Sequence, residues 1–153
     1  MFTAQDILDI AIRLEKNGEK TYQNAKGHTA NEDLKALLKW IAQEEQAHAH
    51  WFTELKNRLS KGKDDHLLAE MSRALAEDVV QGQAFSLQEV DFKAIDTPEK
   101  MVRTFIGFEE DTIAFYRVLK TFIDDPAIAD QLEQIIAEEK THIARFKELL
   151  QTS

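Results

Sequence analysis

The chain has 153 residues, 43% of them hydrophobic, with two prolines and no cysteine. That suits one compact domain with a single core, and it excludes a disulfide scaffold, a zinc-thiolate site and a cysteine-ligated iron-sulfur or rubredoxin-type centre. A formal net charge of −9, from 28 acidic against 19 basic residues, repels nucleic acid and anionic membrane surfaces alike.

No apolar stretch approaches membrane-spanning length, and the first residues carry neither a basic nor a long apolar signal region. A soluble, cytoplasmic protein with no nucleic-acid or membrane partner is expected. The abundance of Ala, Leu, Glu, Lys and Gln, with few alternating β-branched runs, predicts an all-α fold.

The first helix pair is predicted over residues 3–60. Helix 1 runs from about Thr3 to Lys26, opened by Thr3-x-x-Asp6 and closed near Gly27; helix 2 runs from about Asn31 to Ser60. Residues 61–96 are too long for a hairpin turn and predict a crossover, in which Leu67, Met71, Leu75 and Val79 mark a short amphipathic helix. The second pair is predicted over residues 97–151, with helix 3 opening at Thr97-Pro98 and helix 4 at Asp125-Pro126.

Counting in steps of three and four gives an apolar stripe on each helix. Helix 1 reads Leu8, Ala11, Glu15, Gly18, Tyr22, Ala25, and helix 2 reads Leu34, Leu38, Ile41, Glu45, His48, Phe52, Leu55. Helix 3 reads Val102, Phe105, Glu109, Thr112, Tyr116, Leu119, and helix 4 reads Ile128, Leu132, Ile135, Glu139, His142, Phe146, Leu149. Such spacing is what a four-helix bundle needs.

The ionisable residues on these stripes repeat. Glu15, Glu45 and His48 recur 94 positions later as Glu109, Glu139 and His142, and the same shift takes Tyr22 to Tyr116, Phe52 to Phe146 and Asn31 to Asp125. Two such helix pairs would gather four carboxylates and two imidazoles in one core, where uncompensated charge is heavily penalised. Metal is the natural compensation. Each Glu-x-x-His places two side chains one turn apart on one face, within reach of one cation, and Glu15 and Glu109 can bridge or complete the coordination. Four carboxylates balance two divalent cations, and mixed oxygen and imidazole donors suit iron first and manganese second.

The neighbouring Glu44, Glu110 and Glu138 lie about 100° around their helices and are assigned to solvent or to support of the ligands. His28, His50 and His66 lie off the stripes, with no counterpart in the repeat. Tyr22 and Tyr116 are read either as core fillers or as phenols that hydrogen-bond a ligand carboxylate from another helix.

On Glu15-x6-Tyr22 with Glu45-x-x-His48, and Glu109-x6-Tyr116 with Glu139-x-x-His142, the chain resembles the rubrerythrin-like branch of the ferritin-like di-iron superfamily. The resemblance spans most of the sequence except 60–96. It implies a ferritin-like antiparallel four-helix bundle holding two iron ions per site, in a homodimer or larger homo-oligomer. Rubrerythrins proper add a four-cysteine rubredoxin domain and a further glutamate one turn after the helix 3 ligand; here there is no cysteine and that position is Thr112.

The expected activity is a di-iron oxidoreductase that reduces peroxide or oxygen with electrons from an external donor. Alternatives are a ferroxidase for iron storage or delivery, a manganese catalase-like enzyme, and, from a different class, a non-enzymatic helical scaffold whose buried charges pair with one another.

Overall fold

A computed structural model of the protein describes residues 4–59, 91–121 and 123–152. These form four long helices and no strand: α1 (Ala4–Ala25), α2 (Glu32–Leu59), α3 (Pro98–Thr121) and α4 (Pro126–Thr152). The all-α four-helix bundle is observed, with helix bounds within a residue or so of those predicted.

Local chemistry sets three of the helix starts. The Asn31 side chain accepts the Leu34 amide at 3.0 Å, Thr97 accepts that of Lys100 at 3.1 Å, and Asp125 accepts that of Ala127 at 2.9 Å. Each bond satisfies one of the amide groups that a helix start leaves without an intrahelical partner. Pro98 and Pro126 then occupy first-turn positions where no amide hydrogen is required. Thr3, the proposed cap of α1, lies outside the described residues.

The exit of α1 differs from expectation. Gly27 does not adopt the left-handed conformation that usually closes a helix at glycine. Instead, α1 tightens into a 3-10 turn over Lys26–His28, and the chain leaves through Thr29 in extended geometry, φ −137° and ψ 145°. The tighter turn consumes carbonyls that the α-helix leaves free.

Cross-helix bonds define the directions. Asp9 of α1 pairs with Lys56 of α2 at 2.5 Å, and Lys120 of α3 with Glu133 of α4 at 2.7 Å. Along α2 the residues Glu44, His48 and Trp51 meet His142, Glu138 and Gln131 of α4. Numbers rise on one helix as they fall on the other, so α2 and α4 are antiparallel. The same holds for α1 and α3, where Glu15 meets Tyr116 and Tyr22 meets Glu109.

The predicted stripes face one shared core, which includes Leu8, Leu38, Ile41, Phe52, Phe105, Leu119, Leu132 and Phe146. Burial of such side chains, at about 1.5–3 kcal/mol each, is the main force closing the bundle. Two ring pairs brace its middle: Tyr22 meets Phe105 edge to face at 4.9 Å, and Phe52 lies 5.2 Å from Tyr116. Offset and edge contacts of this kind suit the ring quadrupoles.

The amphipathic helix expected at Leu67, Met71, Leu75 and Val79, together with His66, lies outside the described residues. Where the chain resumes, Phe92 stacks on His28 at 4.4 Å, and Phe92 and Ile95 pack against the core edge. His28 sits beside the α1–α2 turn, whereas Leu59 ends α2 some 40 Å of helix away. The residues joined by the connection therefore lie at opposite ends of the bundle, as a crossover requires.

Candidate metal centre

The bundle's midsection converts the stripe pattern into a cluster. Glu15, Glu45, Glu109, Glu139 and His142 are each 0% exposed and His48 is 4% exposed. Their donor atoms form two groups, one of Glu15, Glu45, His48 and Glu139, the other of Glu45, Glu109, Glu139 and His142. Within each group the atoms lie within 4.8 Å of one another, close enough for one cation to be held. All six sequence-selected residues are thus brought together. Glu45 and Glu139 belong to both groups, whereas Glu15 and Glu109 each complete one, so the Glu-x-x-His acids would be the ones shared between two cations.

The imidazoles face inward through Nδ1. His48 Nδ1 lies 2.9 Å from Glu139 and 3.5 Å from Glu15; His142 Nδ1 lies 3.3 Å from Glu45, 3.6 Å from Glu109 and 3.7 Å from Glu139. None of these approaches is aligned as a hydrogen bond. Both Nδ1 atoms, both oxygens of Glu45 and of Glu139, and one oxygen each of Glu15 and Glu109 are buried without a hydrogen-bond partner. Eight such atoms pointing at one another would be a heavy stability cost if left so, since burying an unpaired charge costs several kcal/mol. Oxygen and imidazole donors with no thiolate match iron or manganese. The residues fit a two-cation site.

Opposing charges displace the protonation equilibria. Burial pushes the Glu45 carboxyl well above the usual carboxylate range, and the charges of Glu139, Glu15 and Glu109 add to it. Glu109 is raised by burial and by Glu139. Burial acts the same way on Glu139, but the close approach of Glu109, His142 and His48 outweighs it and holds this carboxyl well below the usual range. Burial would lower both imidazoles. Instead, Glu109, Glu139 and Glu44 push His142 up to about 12, and Glu15, Glu138 and Glu139 raise His48 strongly. These shifts favour the protonated forms of Glu45, Glu109 and the two rings, so protons would compete with a cation for the same donor atoms.

The tyrosines bond across the bundle. Tyr22 of α1 donates to Glu109 of α3 at 2.6 Å, and Tyr116 of α3 donates to Glu15 of α1 at 2.5 Å. Burial raises both phenols well above their ordinary value, so both keep the proton they donate. Each bond fixes the outer oxygen of a terminal carboxylate and leaves its other oxygen facing the cluster.

Sequence reasoning left the outer faces of the imidazoles without named partners. The Nε2 of His48 meets Glu138 at 2.5 Å, and that of His142 meets Glu44 at 2.7 Å. The signal was present, because Glu44 and Glu138 obey the same 94-residue repeat as the six inner residues. Glu110, by contrast, is exposed, and His50 pairs at the surface with Glu54 at 3.1 Å.

One position breaks the repeat beside the cluster. Gly18 corresponds to Thr112, whose hydroxyl bonds the Phe108 carbonyl of its own helix at 2.9 Å. A Cβ placed on Gly18 would lie 2.9 Å from Glu45 Oε2 and 3.5 Å from the Phe108 ring. Glycine here leaves room for a shared carboxylate.

No helix among the described residues is long and apolar enough to cross a membrane. No curated protein matches the chain. Among solved structures, a candidate ferritin-like diiron-carboxylate protein from Thermotoga maritima is similar, with a TM-score of 0.71 and 23% identity over 96% of this chain and 93% of that one. At that identity the likeness speaks for the ferritin-like fold. The rubrerythrin family model matches residues 6–150, nearly the whole chain and all eight of the inner acids, imidazoles and phenols, and the protein accordingly belongs to the rubrerythrin family.

Proposed function

We propose that the protein is an oxidoreductase that reduces peroxide or oxygen at a pair of iron ions held by Glu15, Glu45, His48, Glu109, Glu139 and His142. The observation that carries this is the pair of overlapping donor groups sharing Glu45 and Glu139, with eight buried atoms otherwise unsatisfied. When bound, two ferrous ions supply one electron each, enough to take peroxide and two protons to two molecules of water.

The chain supplies the setting. Glu15 and Glu109, each tethered by a phenol, cap the two ends of the cluster, while Glu45 and Glu139 hold its centre. Buried Phe105, Phe108, Phe52 and Phe146 keep bulk water from the site, which strengthens each electrostatic contact inside. With no cysteine in the sequence, reducing equivalents come from an external donor. Manganese is the second metal the donor set suits, and a cytoplasmic homodimer or larger homo-oligomer is the assembly we infer.

The test is an anaerobic Fe(II) titration followed by separate exposure to peroxide and to oxygen. Two irons per chain, an optical change with either oxidant, and turnover on adding reductant support the reading. Absence of any optical change overturns it. Loading far beyond two irons per chain would point to ferroxidase and storage, and oxygen release from peroxide by manganese-loaded protein to catalase-like chemistry.

A further inference from the structure

We propose that Glu44 and Glu138 are positioning residues, each setting the inward-facing nitrogen of the histidine in the opposite repeat and thereby serving one metal position apiece. This rests on the metal-binding reading given above. The arrangement is crossed: Glu44 on α2 holds His142 on α4, and Glu138 on α4 holds His48 on α2.

An imidazole has two nitrogens, and a neutral ring carries its proton on only one. A carboxylate 2.5–2.7 Å from Nε2 requires that nitrogen to donate. In the neutral ring that would bind a cation, the lone pair is then left on Nδ1, the atom that faces the inner carboxylates at 2.9–3.7 Å. The reversed tautomer would set a lone pair against a carboxylate outside and an N–H against the cation position inside. A hydrogen bond from the far nitrogen also fixes the ring plane and makes the near nitrogen a better donor.

The two outer carboxylates differ from the inner four in environment. Their side chains are 24% and 32% exposed, against 0% for the inner acids, so they lie outside the buried cluster of donor atoms. Gln134 donates to Glu138 at 3.4 Å, while at its counterpart in the repeat Trp40 sets its ring edge to face against His142 at 5.4 Å.

A plain structural reading exists, in which the two pairs only clasp α2 to α4. The two roles separate by experiment on the full chain. Co(II) titration followed by absorbance reports the two positions, and 15N-histidine NMR of Zn(II)-loaded protein reports the protonated nitrogen. Glu138→Ala should weaken one equivalent roughly tenfold to a hundredfold and leave the other intact. Glu44→Ala should do the converse, and the Gln variants, whose amide oxygen still accepts from Nε2, should recover most of the loss. The parent loaded with Zn(II) should show both Nε2 atoms protonated.

Parent-like binding of both equivalents by the Ala variants overturns the proposal. So does equal weakening of both equivalents that Gln does not rescue, or a proton found on Nδ1 in the Zn(II)-loaded parent, a readout that stands even if the Ala variants fail to fold. A parent that binds neither ion overturns the metal reading itself, and this proposal with it.

Discussion

Tyr116 donates to Glu15 from another helix, 101 positions away in sequence, at 2.5 Å. Tyr22 repeats the contact with Glu109 at 2.6 Å. Removing either hydroxyl strands a buried carboxylate oxygen, a loss of about 1–3 kcal/mol. Tyr116→Phe and Tyr22→Phe should each lower the urea midpoint of the metal-free protein without changing its helical content, and an unchanged midpoint would show these bonds to be energetically idle.

Sharing of Glu45 and Glu139 predicts unequal outcomes for four similar substitutions. Glu45→Gln or Glu139→Gln should remove metal binding at both positions, whereas Glu15→Gln or Glu109→Gln should spare one. Equilibrium dialysis with Fe(II) or Mn(II) under anaerobic conditions gives the stoichiometry. Equal losses across all four would contradict the shared geometry.

Gly18→Ala should separate stability from binding. Alanine favours a helix interior over glycine by roughly 0.5–1 kcal/mol, yet its Cβ would sit 2.9 Å from Glu45 Oε2. The metal-free variant should melt no lower than the parent, while its affinity for metal falls on the order of tenfold, equivalent to about 1.4 kcal/mol. Calorimetry and a metal titration on the same sample decide it.

Protonation gives a fourth expectation. Glu45 and Glu109 are raised above the usual carboxylate range, and His142 is raised to about 12. A cation needs these donors deprotonated, so in the metal-free protein protons compete with it for them. Affinity should rise with pH, with net proton release on binding. Titration calorimetry in buffers of different ionisation enthalpy counts the protons. Affinity independent of pH would mean the carboxyls and rings are already deprotonated.

Much of the fold was legible because helical periodicity and capping chemistry are local. The stripes through Leu38, Phe52, Phe105 and Phe146 all face the core, and Asn31, Thr97 and Asp125 cap where their side chains suggested. The convergence of six ionisable residues was legible for the same reason, with the 94-residue repeat pairing them. The crossing of Glu44 to His142 and of Glu138 to His48 depends on the register of α2 against α4, which neither helix encodes alone. Which acids are shared depends on the same register. The close approach at Gly18 is a matter of tenths of an ångström, below what residue type and spacing can express, and the 3-10 exit of α1 was masked by a glycine that suggested a different stop.

The internal pairing has one more consequence. Each of the four hydrogen bonds at the centre runs from one repeat to the other, from Tyr22 to Glu109, Tyr116 to Glu15, His48 to Glu138 and His142 to Glu44. The centre thus acts as a rivet between two half-proteins. If the backbone were severed between residues 60 and 90, this rivet and the greasy seam around it would be the main ties between the fragments, beside the Trp51–Gln131 bond and the His28–Phe92 stack, and a divalent ion should govern whether they reunite.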